Sequence, residues 1–315
     1  MSRAGVPDGE AGLAPEHCTL CPRCCGVNRA AGATGWCRAS RQPVVFRYGP
    51  HHGEEPVLSG INGSGTVFFS HCTMACCYCQ NHPWSQACRG DVLGVERLAE
   101  VLADLREAGC HNWNMVSPTP WLPWVNAAVE TAAAGGRLPV VMNTGGYENV
   151  KTLERFAGLT DVFLADLRYA DDDTARRLSD TADYTATARQ ALRWMYEHAG
   201  ALQVDDDGIA RSGLICRVLI IPGYASEALE SLQWIRDCLG AGVAVSVMAQ
   251  YMPAYRAIES APPLNRRISY GEYERVAAAV DRLDFDCGWM QEFEGETEES
   301  LIGYKMPAGS STAGS

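Results

Sequence analysis

Beyond residue 65 the chain alternates short apolar runs with longer stretches of helical periodicity. Residues 66–70 (TVFFS) form an apolar run between Gly65 and a cysteine cluster, which predicts a buried strand. Residues 95–108 set Val95, Leu98, Leu102 and Leu105 at three- and four-residue intervals, the spacing of an amphipathic helix. The same reading predicts strands at 113–116, 139–142, 161–165, 214–221 and 244–248. It predicts helices at 124–134, 153–157, 185–198, 227–239 and 270–283. Strands alternating with helices indicate βα units on a parallel sheet. The expected fold class is α/β, a partial (β/α)6 barrel, with a doubly wound sheet as the alternative that fits the same pattern. Both architectures seat ligands at the C-terminal ends of their strands. The cysteine cluster follows the first strand directly, and Ser117, Asn143, Asp166 and Gln250 fall at or just after the ends of four others.

The flanks differ from this regular part, which spans 65–290. Residues 1–16 are rich in Gly, Ala and Pro and are expected to be disordered. Residues 291–315 form a tail that ends in the flexible composition MPAGSSTAGS. Residues 17–64 are rich in Cys and Gly with few periodic apolar positions. This N-terminal extension is expected to be organised by a bound metal rather than by a core.

Composition narrows the function classes. The chain is 47% hydrophobic and 20% charged, as in ordinary globular proteins. No run of about 18 apolar residues predicts a membrane span. Residues 1–15 lack the apolar segment of a signal peptide, so the expected location is cytoplasmic. With 38 acidic against 26 basic residues the net charge is -12, which repels a phosphate backbone, so nucleic acid is not an expected partner. The 14 cysteines are concentrated in two short clusters, which in a chain without a signal peptide read as metal ligands or redox groups rather than disulfides.

The first cluster reads Cys72-Thr-Met-Ala-Cys76-Cys-Tyr-Cys79. Four thiolates normally complete an iron–sulfur cluster, so a C-x3-C-x2-C loop leaves one iron open to an exogenous ligand. Cys77 is off this spacing and reads as a small packing side chain. Tyr78 can cover an aromatic ligand or simply pack. A zinc knuckle is the competing reading and would need His71 or His82 as fourth ligand. The second cluster has Cys18, Cys21, Cys24 and Cys25, then Cys37 after Gly35-Trp36. Four thiolates suffice for a closed site, either structural zinc or a second 4Fe–4S cluster. Spacing alone does not choose between Cys24 and Cys25.

The loop carrying Cys72, Cys76 and Cys79, with an aromatic residue before the last cysteine, resembles the signature of the radical S-adenosylmethionine (SAM) superfamily. Further stretches are similar to an uncharacterised branch related to pyruvate formate-lyase activating enzymes. These are His52-Gly53-Glu54-Glu55-Pro56, Ser59-Gly60, residues 63–70 and Gln80-Asn81, and the resemblance runs from about residue 18 to 253. It implies a (β/α)6 partial barrel, one SAM and one catalytic 4Fe–4S cluster. It also implies reductive cleavage of SAM to a 5′-deoxyadenosyl radical that abstracts hydrogen from a substrate. In the branch's C-x2-C-P-R-x-C-G pattern the third ligand matches Cys25, which gives Cys18, Cys21, Cys25 and Cys37 as the second set. A reductant such as flavodoxin or ferredoxin is the implied electron donor.

The resemblance also suggests residues that hold SAM. Tyr78 would cover the adenine. The family's glycine-rich turn after the second strand is replaced by Ser117-Pro118-Thr119-Pro120, where carbonyls and the Ser117 and Thr119 hydroxyls could take the methionine amino group. Asn143, ahead of Gly145 and Gly146, matches a family turn and could bond ribose or carboxylate. Asp166-Leu167-Arg168 stands where activating enzymes carry Asp-x-Lys, and arginine's planar fork suits a carboxylate. Arg217 lies within an apolar strand and needs a partner, either the SAM carboxylate or an internal acid. Gln250-Tyr251-Met252-Pro253 matches a branch element and is expected at the substrate end. Trp113, Trp121 and Trp124 read as core or cavity walls, and His51, His52, Glu54 and Glu55 as a polar loop or substrate contacts.

Two function classes compete. One is an enzyme acting on a small molecule or peptide, or, as an activase, on a glycyl radical enzyme. The other is a non-catalytic iron–sulfur or zinc protein that carries electrons. A carrier needs neither a chain of this size nor an open-coordination triad.

Overall fold

The computed structural model describes residue 10 and residues 12–293. The disorder expected of residues 1–9 and 11, and the tail from residue 294, lie outside the described residues. In chain order the strands are β1 (Val44–His51), β2 (Ser64–Phe69), β3 (Asp91–Val92), β4 (Trp113–Val116), β5 (Val140–Thr144), β6 (Val162–Asp166), β7 (Gln203–Val204), β8 (Ala210–Leu219), β9 (Ala244–Met248) and β10 (Gly288–Met290). The α-helices are α1 (Pro56–Ser59), α2 (His82–Ser85), α3 (Val95–Glu107), α4 (Leu122–Ala133), α5 (Val150–Arg155), α6 (Asp172–Ser179), α7 (Tyr184–Ala199), α8 (Ala225–Leu239) and α9 (Tyr270–Leu283).

The six strands expected from the apolar runs pair in parallel in the order β2–β4–β5–β6–β8–β9, with β10 added parallel to β9. Chain order never reverses along these parallel strands. There is thus no topological switch point, and the fold is the singly wound partial barrel rather than the doubly wound alternative. β1 joins the open edge antiparallel to β2, with β3 antiparallel beyond it, and β7 pairs with the start of β8. No helix among the described residues is long and apolar enough to cross a membrane.

Alternation within these strands sorts their side chains, because successive residues face opposite sides of a sheet. One set, including Met142, Phe163, Cys216, Val218, Val245 and Val247, packs with the helices in the main core. There α3 buries Val95, Leu98, Ala99, Val101, Leu102 and Leu105. The other set faces the barrel interior and changes character along the strands. Near their beginnings Val141, Val162, Leu164, Ile215 and Ala244 form a small apolar cluster plugged by Leu58 of α1. Toward their ends the same faces carry Asn143, Asp166, Arg217 and Ser246. The interior therefore has a dry base and a polar mouth.

The structure departs from the sequence reading at several places, among them β1, the start of β8 and Glu10. Residues 44–51 lie in the extension expected to lack core structure, yet pair as β1 with the barrel's first strand. Their apolar alternation is weak because only Val45 and Gly49 are buried. Strand β8 begins four residues earlier than expected, at Ala210, where β7 pairs with it. Glu10, within the stretch expected to be disordered, is buried, and its Oε1 accepts from the backbone N–H of Val95 at 2.6 Å. It thus caps α3, whose own N-cap Gly94 has no side chain to do so.

Leu58 is fully buried at the barrel base. Leu58→Ala is expected to lower the unfolding free energy by ~2–5 kcal/mol, because the plug leaves a cavity that the strands cannot close. Val57→Ala, at a half-buried neighbour, should cost less. Denaturant midpoints of the two variants check the difference.

Candidate active site

The loop after β2 carries Cys72, Cys76 and Cys79. It is held from outside: the backbone N–H of Ala75 donates to Ser179 O at 3.0 Å and that of Cys77 to Leu178 O at 2.8 Å. The end of α6 thus fixes the loop. Each of the three sulfurs meets a donor. Met74 N–H reaches Cys72 Sγ at 3.5 Å, and Ser85 Oγ lies 3.2 Å from Cys79 Sγ. Cys76 Sγ accepts from Ser179 Oγ at 2.9 Å and from Arg168 Nη1 at 3.5 Å. Burial, reinforced by the neighbouring Cys76, pushes the Cys72 thiol up to about 12 and the Cys79 thiol to about 11. Thiolates at these positions therefore need a cation. Cys77 packs against the main core, as its off-spacing position suggested.

A cavity opens beside Cys79 at the C-terminal ends of the strands. It is lined by Tyr78, Ser117, Asn143, Asp166, Arg168, Arg217 and Gln250, seven residues singled out in the sequence. Arg168 forms an ion pair with Asp166, yet its buried Nε has no partner. Gly146 adopts φ +79, and a Cβ there would meet Asp166 O at 2.1 Å, so this turn requires glycine. Ser117 holds φ +56 where the family resemblance expects a glycine-rich turn. A second cavity shares Met248 and Gln250 with the first and is lined beyond them by His52, Glu54, Glu55, Trp289 and Glu292.

Two expected roles need correction. Thr119 does not reach the cavity: it is buried, and its Oγ1 donates to Glu148 Oε1 at 2.7 Å. Arg217 does line the cavity, but its charge is taken by internal acids. Nε and Nη2 bond Glu55 at 2.7 and 2.6 Å, and Nη2 also pairs with Glu54. Burial raises the Glu55 carboxyl, but the charge and hydrogen bonds of Arg217 hold it below the ordinary value. Asn143 and Asn114 Nδ2 donate to Glu54 Oε1 at 3.2 and 3.0 Å. Arg217 therefore ties the 54–55 loop to β8, and of the two partners expected for it, the SAM carboxylate or an internal acid, it meets the acids. Trp113, Trp121 and Trp124 are fully buried core residues.

In the extension, Cys21 interacts electrostatically with Cys18 and Cys37, and Cys37 with Cys18 and Cys25. Cys24 turns away at φ +40, its sulfur against Cys21 O and near Asn149 Nδ2. A Cβ on Gly35 would meet Cys25 Sγ at 2.4 Å, so the residue before Trp36-Cys37 must be small. Arg29 is 1% exposed, donates to Ser40 O and Pro120 O at 2.8 and 2.6 Å, and stacks on Trp121. Among the described residues it forms no carboxylate salt bridge, and the titratable groups acting on it are Cys18, Cys37 and Cys25. The two cysteine sets adjoin: His71, next to Cys72, places Nδ1 2.9 Å from Cys37 O, and Cys37 and Cys72 line one cavity. Among the described residues no three His, Cys, Asp or Glu donors meet single-ion spacing, in the loop or in the extension.

No family model matches the chain. It is 27% identical over 281 residues to an uncharacterized protein, MJ0674, of Methanocaldococcus jannaschii, a match that covers 86% of this chain and 76% of that protein. Among solved structures it is similar to methylornithine synthase (PylB), with a TM-score of 0.46 and 17% identity over 70% of this chain and 60% of that one. Similar too is the FeFe-hydrogenase maturase HydG from Carboxydothermus hydrogenoformans, with a TM-score of 0.48 and 16% identity over 70% of this chain and 50% of that one. Streptococcus suis SuiB bound to S-adenosylmethionine gives 0.47 and 10% over 70% and 48%. The chain spans about half the length of these solved structures.

Glu148 was missed in the sequence, since nothing marks a glutamate after a Gly-Gly-Tyr turn as buried. It is 2% exposed, takes hydroxyl protons from Thr144 and Thr119, and leaves Oε2 without a partner. Burial pushes its carboxyl up to about 7. Because the folded value lies above the unfolded one, its contribution to stability is complete below pH ~4.5 and is lost as pH rises toward ~7. Glu148→Gln is expected to flatten the fall in stability over that window, by up to ~3 kcal/mol between its ends. Denaturant titrations at several pH values check this.

Proposed function

We propose that the chain is a radical SAM enzyme, with a 4Fe–4S cluster on Cys72, Cys76 and Cys79 and SAM in the adjoining cavity. The observation that carries the reading is the convergence of the three-thiol loop with that polar cavity. The donor set fits both groups. The thiols are buried, supplied with hydrogen-bond donors and in need of a compensating cation. Arg168 offers an unpartnered buried Nε in a cavity that Asp166 shares, which suits a ligand carrying a carboxylate. Held by Cys72, Cys76 and Cys79, the cluster would supply the electron for reductive cleavage of SAM, and SAM would supply the radical chemistry.

The chain's own residues bind and orient. Arg168 would hold the methionine carboxylate, and Asn143 the ribose. The backbone and hydroxyl of Ser117 would take the amino group, and Tyr78 would cover the adenine. Arg217 keeps Glu54 and Glu55 at the boundary between the two cavities. The second cavity, which shares Met248 and Gln250 with the first, supports a small molecule or peptide as substrate over a glycyl loop of a partner protein. The adjoining pair of cavities also speaks against a non-catalytic electron carrier.

We further propose that Cys18, Cys21, Cys25 and Cys37 bind a metal as thiolates. A buried guanidinium without a carboxylate needs nearby anions, and these sulfurs are the available ones. The Cys72/Cys76/Cys79→Ala triple variant is expected to retain metal. Iron with acid-labile sulfide would identify a second cluster, and zinc alone a structural site.

The main test is anaerobic reconstitution with iron and sulfide, reduction by dithionite, addition of SAM and assay for 5′-deoxyadenosine. The wild type is expected to form it and Cys76→Ala to form none. A fully loaded, reduced wild type without product, or a Cys76→Ala variant that matches it, would sink the reading.

A further inference from the structure

Three buried hydroxyls form a line that ends on the loop. Tyr78 Oη lies 2.5 Å from Tyr169 Oη, Tyr169 Oη lies 2.5 Å from Ser179 Oγ, and Ser179 Oγ lies 2.9 Å from Cys76 Sγ. Tyr169 and Ser179 are 0% exposed and Tyr78 is 4% exposed, so bulk water does not compete for these bonds. Ser179 is the last residue of α6, and its carbonyl accepts from Ala75, which fixes the hydroxyl against the loop.

The direction of the line follows from counting protons. Each hydroxyl has one to donate. A metal-bound thiolate has none, so Ser179 donates to Cys76. Tyr169 must then donate to Ser179, and Tyr78 to Tyr169. The oxygen of Tyr78 is left to accept, and the positive charge of the Arg168 guanidinium acts on it. Every proton thus points toward one sulfur, and bonds aligned in this way polarise one another. By contrast, Cys72 Sγ meets a backbone N–H at 3.5 Å and Cys79 Sγ the hydroxyl of Ser85 at 3.2 Å.

We infer that the chain Tyr78–Tyr169–Ser179 raises the reduction potential of the cluster by delivering a polarised hydrogen bond to the Cys76 sulfur; this rests on the cluster reading above. Reduction adds negative charge to the cluster and its sulfurs, and a donor at the sulfur stabilises that charge more than it stabilises the oxidised form. Ser179 and Tyr169 are positioning residues: they touch a ligand atom or one another, not the reacting substrate. The line begins at a ring that lines the cofactor cavity, so that cavity and the cluster sulfur are joined through buried hydroxyls.

The test is a redox titration of reconstituted protein, followed by electron paramagnetic resonance of the reduced cluster, without SAM. At the wild-type midpoint, Ser179→Ala is expected to lower the ratio of reduced to oxidised cluster about tenfold, equivalent to ~59 mV for one electron. Tyr169→Phe, which keeps the ring and removes the relaying hydroxyl, is expected to lower it several-fold. Ser179→Thr is expected to restore it. Iron and sulfide contents should stay at the wild-type level. If Ser179→Ala loads poorly, Tyr169→Phe decides, because it touches no cluster ligand. Loaded variants with the wild-type potential overturn this inference alone. A wild type that takes up no iron and sulfide overturns the cluster reading with it.

Discussion

Three thiols packed into one buried loop oppose their own ionisation. Burial disfavours each anion, and each anion disfavours the next. Everything around the loop answers this constraint. Donors stand at all three sulfurs, the Arg168 guanidinium lies against Cys76, and the end of α6 anchors the loop backbone. The same logic governs the extension, where Arg29 is buried beside cysteines with Nε and Nη1 on backbone carbonyls and Nη2 unpartnered. A site that would be unstable as free thiolates becomes consistent once a metal supplies the missing positive charge.

The barrel presents this loop to a ligand through a division along its inner face. Apolar residues at the base, closed by Leu58, form a buried cluster that excludes water. Farther along the same faces stand Asn143, Asp166 and Arg217. Charged groups are tolerated there because they are paired: Arg168 with Asp166, and Arg217 with Glu54 and Glu55. The second pairing fastens the N-terminal loop to β8, two elements 162 residues apart in sequence. The extension is thereby part of the site, and it contributes a wall to both the pairing and the second cavity.

Much of this was legible in the chain. The apolar runs predicted the six parallel strands, and the helical periodicities predicted α3, α7, α8 and α9 to within a few residues, because both signals are local and repeat. Seven of the eight residues proposed to contact the cofactor line one cavity, because loops at the C-terminal ends of parallel strands converge by construction. The exception, Thr119, shows the limit. Ser117 and Thr119 are two residues apart, but the chain enters a tight helical turn at Thr119 and carries its hydroxyl into the interior against Glu148.

The sequence by itself determined the thiol spacing, the βα alternation and the polar residues at strand ends, all of which are encoded within a few consecutive positions. Only the tertiary structure decided what those residues meet. It joined Arg217 to the two glutamates, set the Cys25 sulfur against Gly35 and the Cys24 sulfur against Cys21 O, and lined up Tyr78, Tyr169 and Ser179 behind Cys76. These contacts depend on strand register and on the angle at which α6 meets the loop. Those quantities arise from packing across the whole core, so no local pattern carries them.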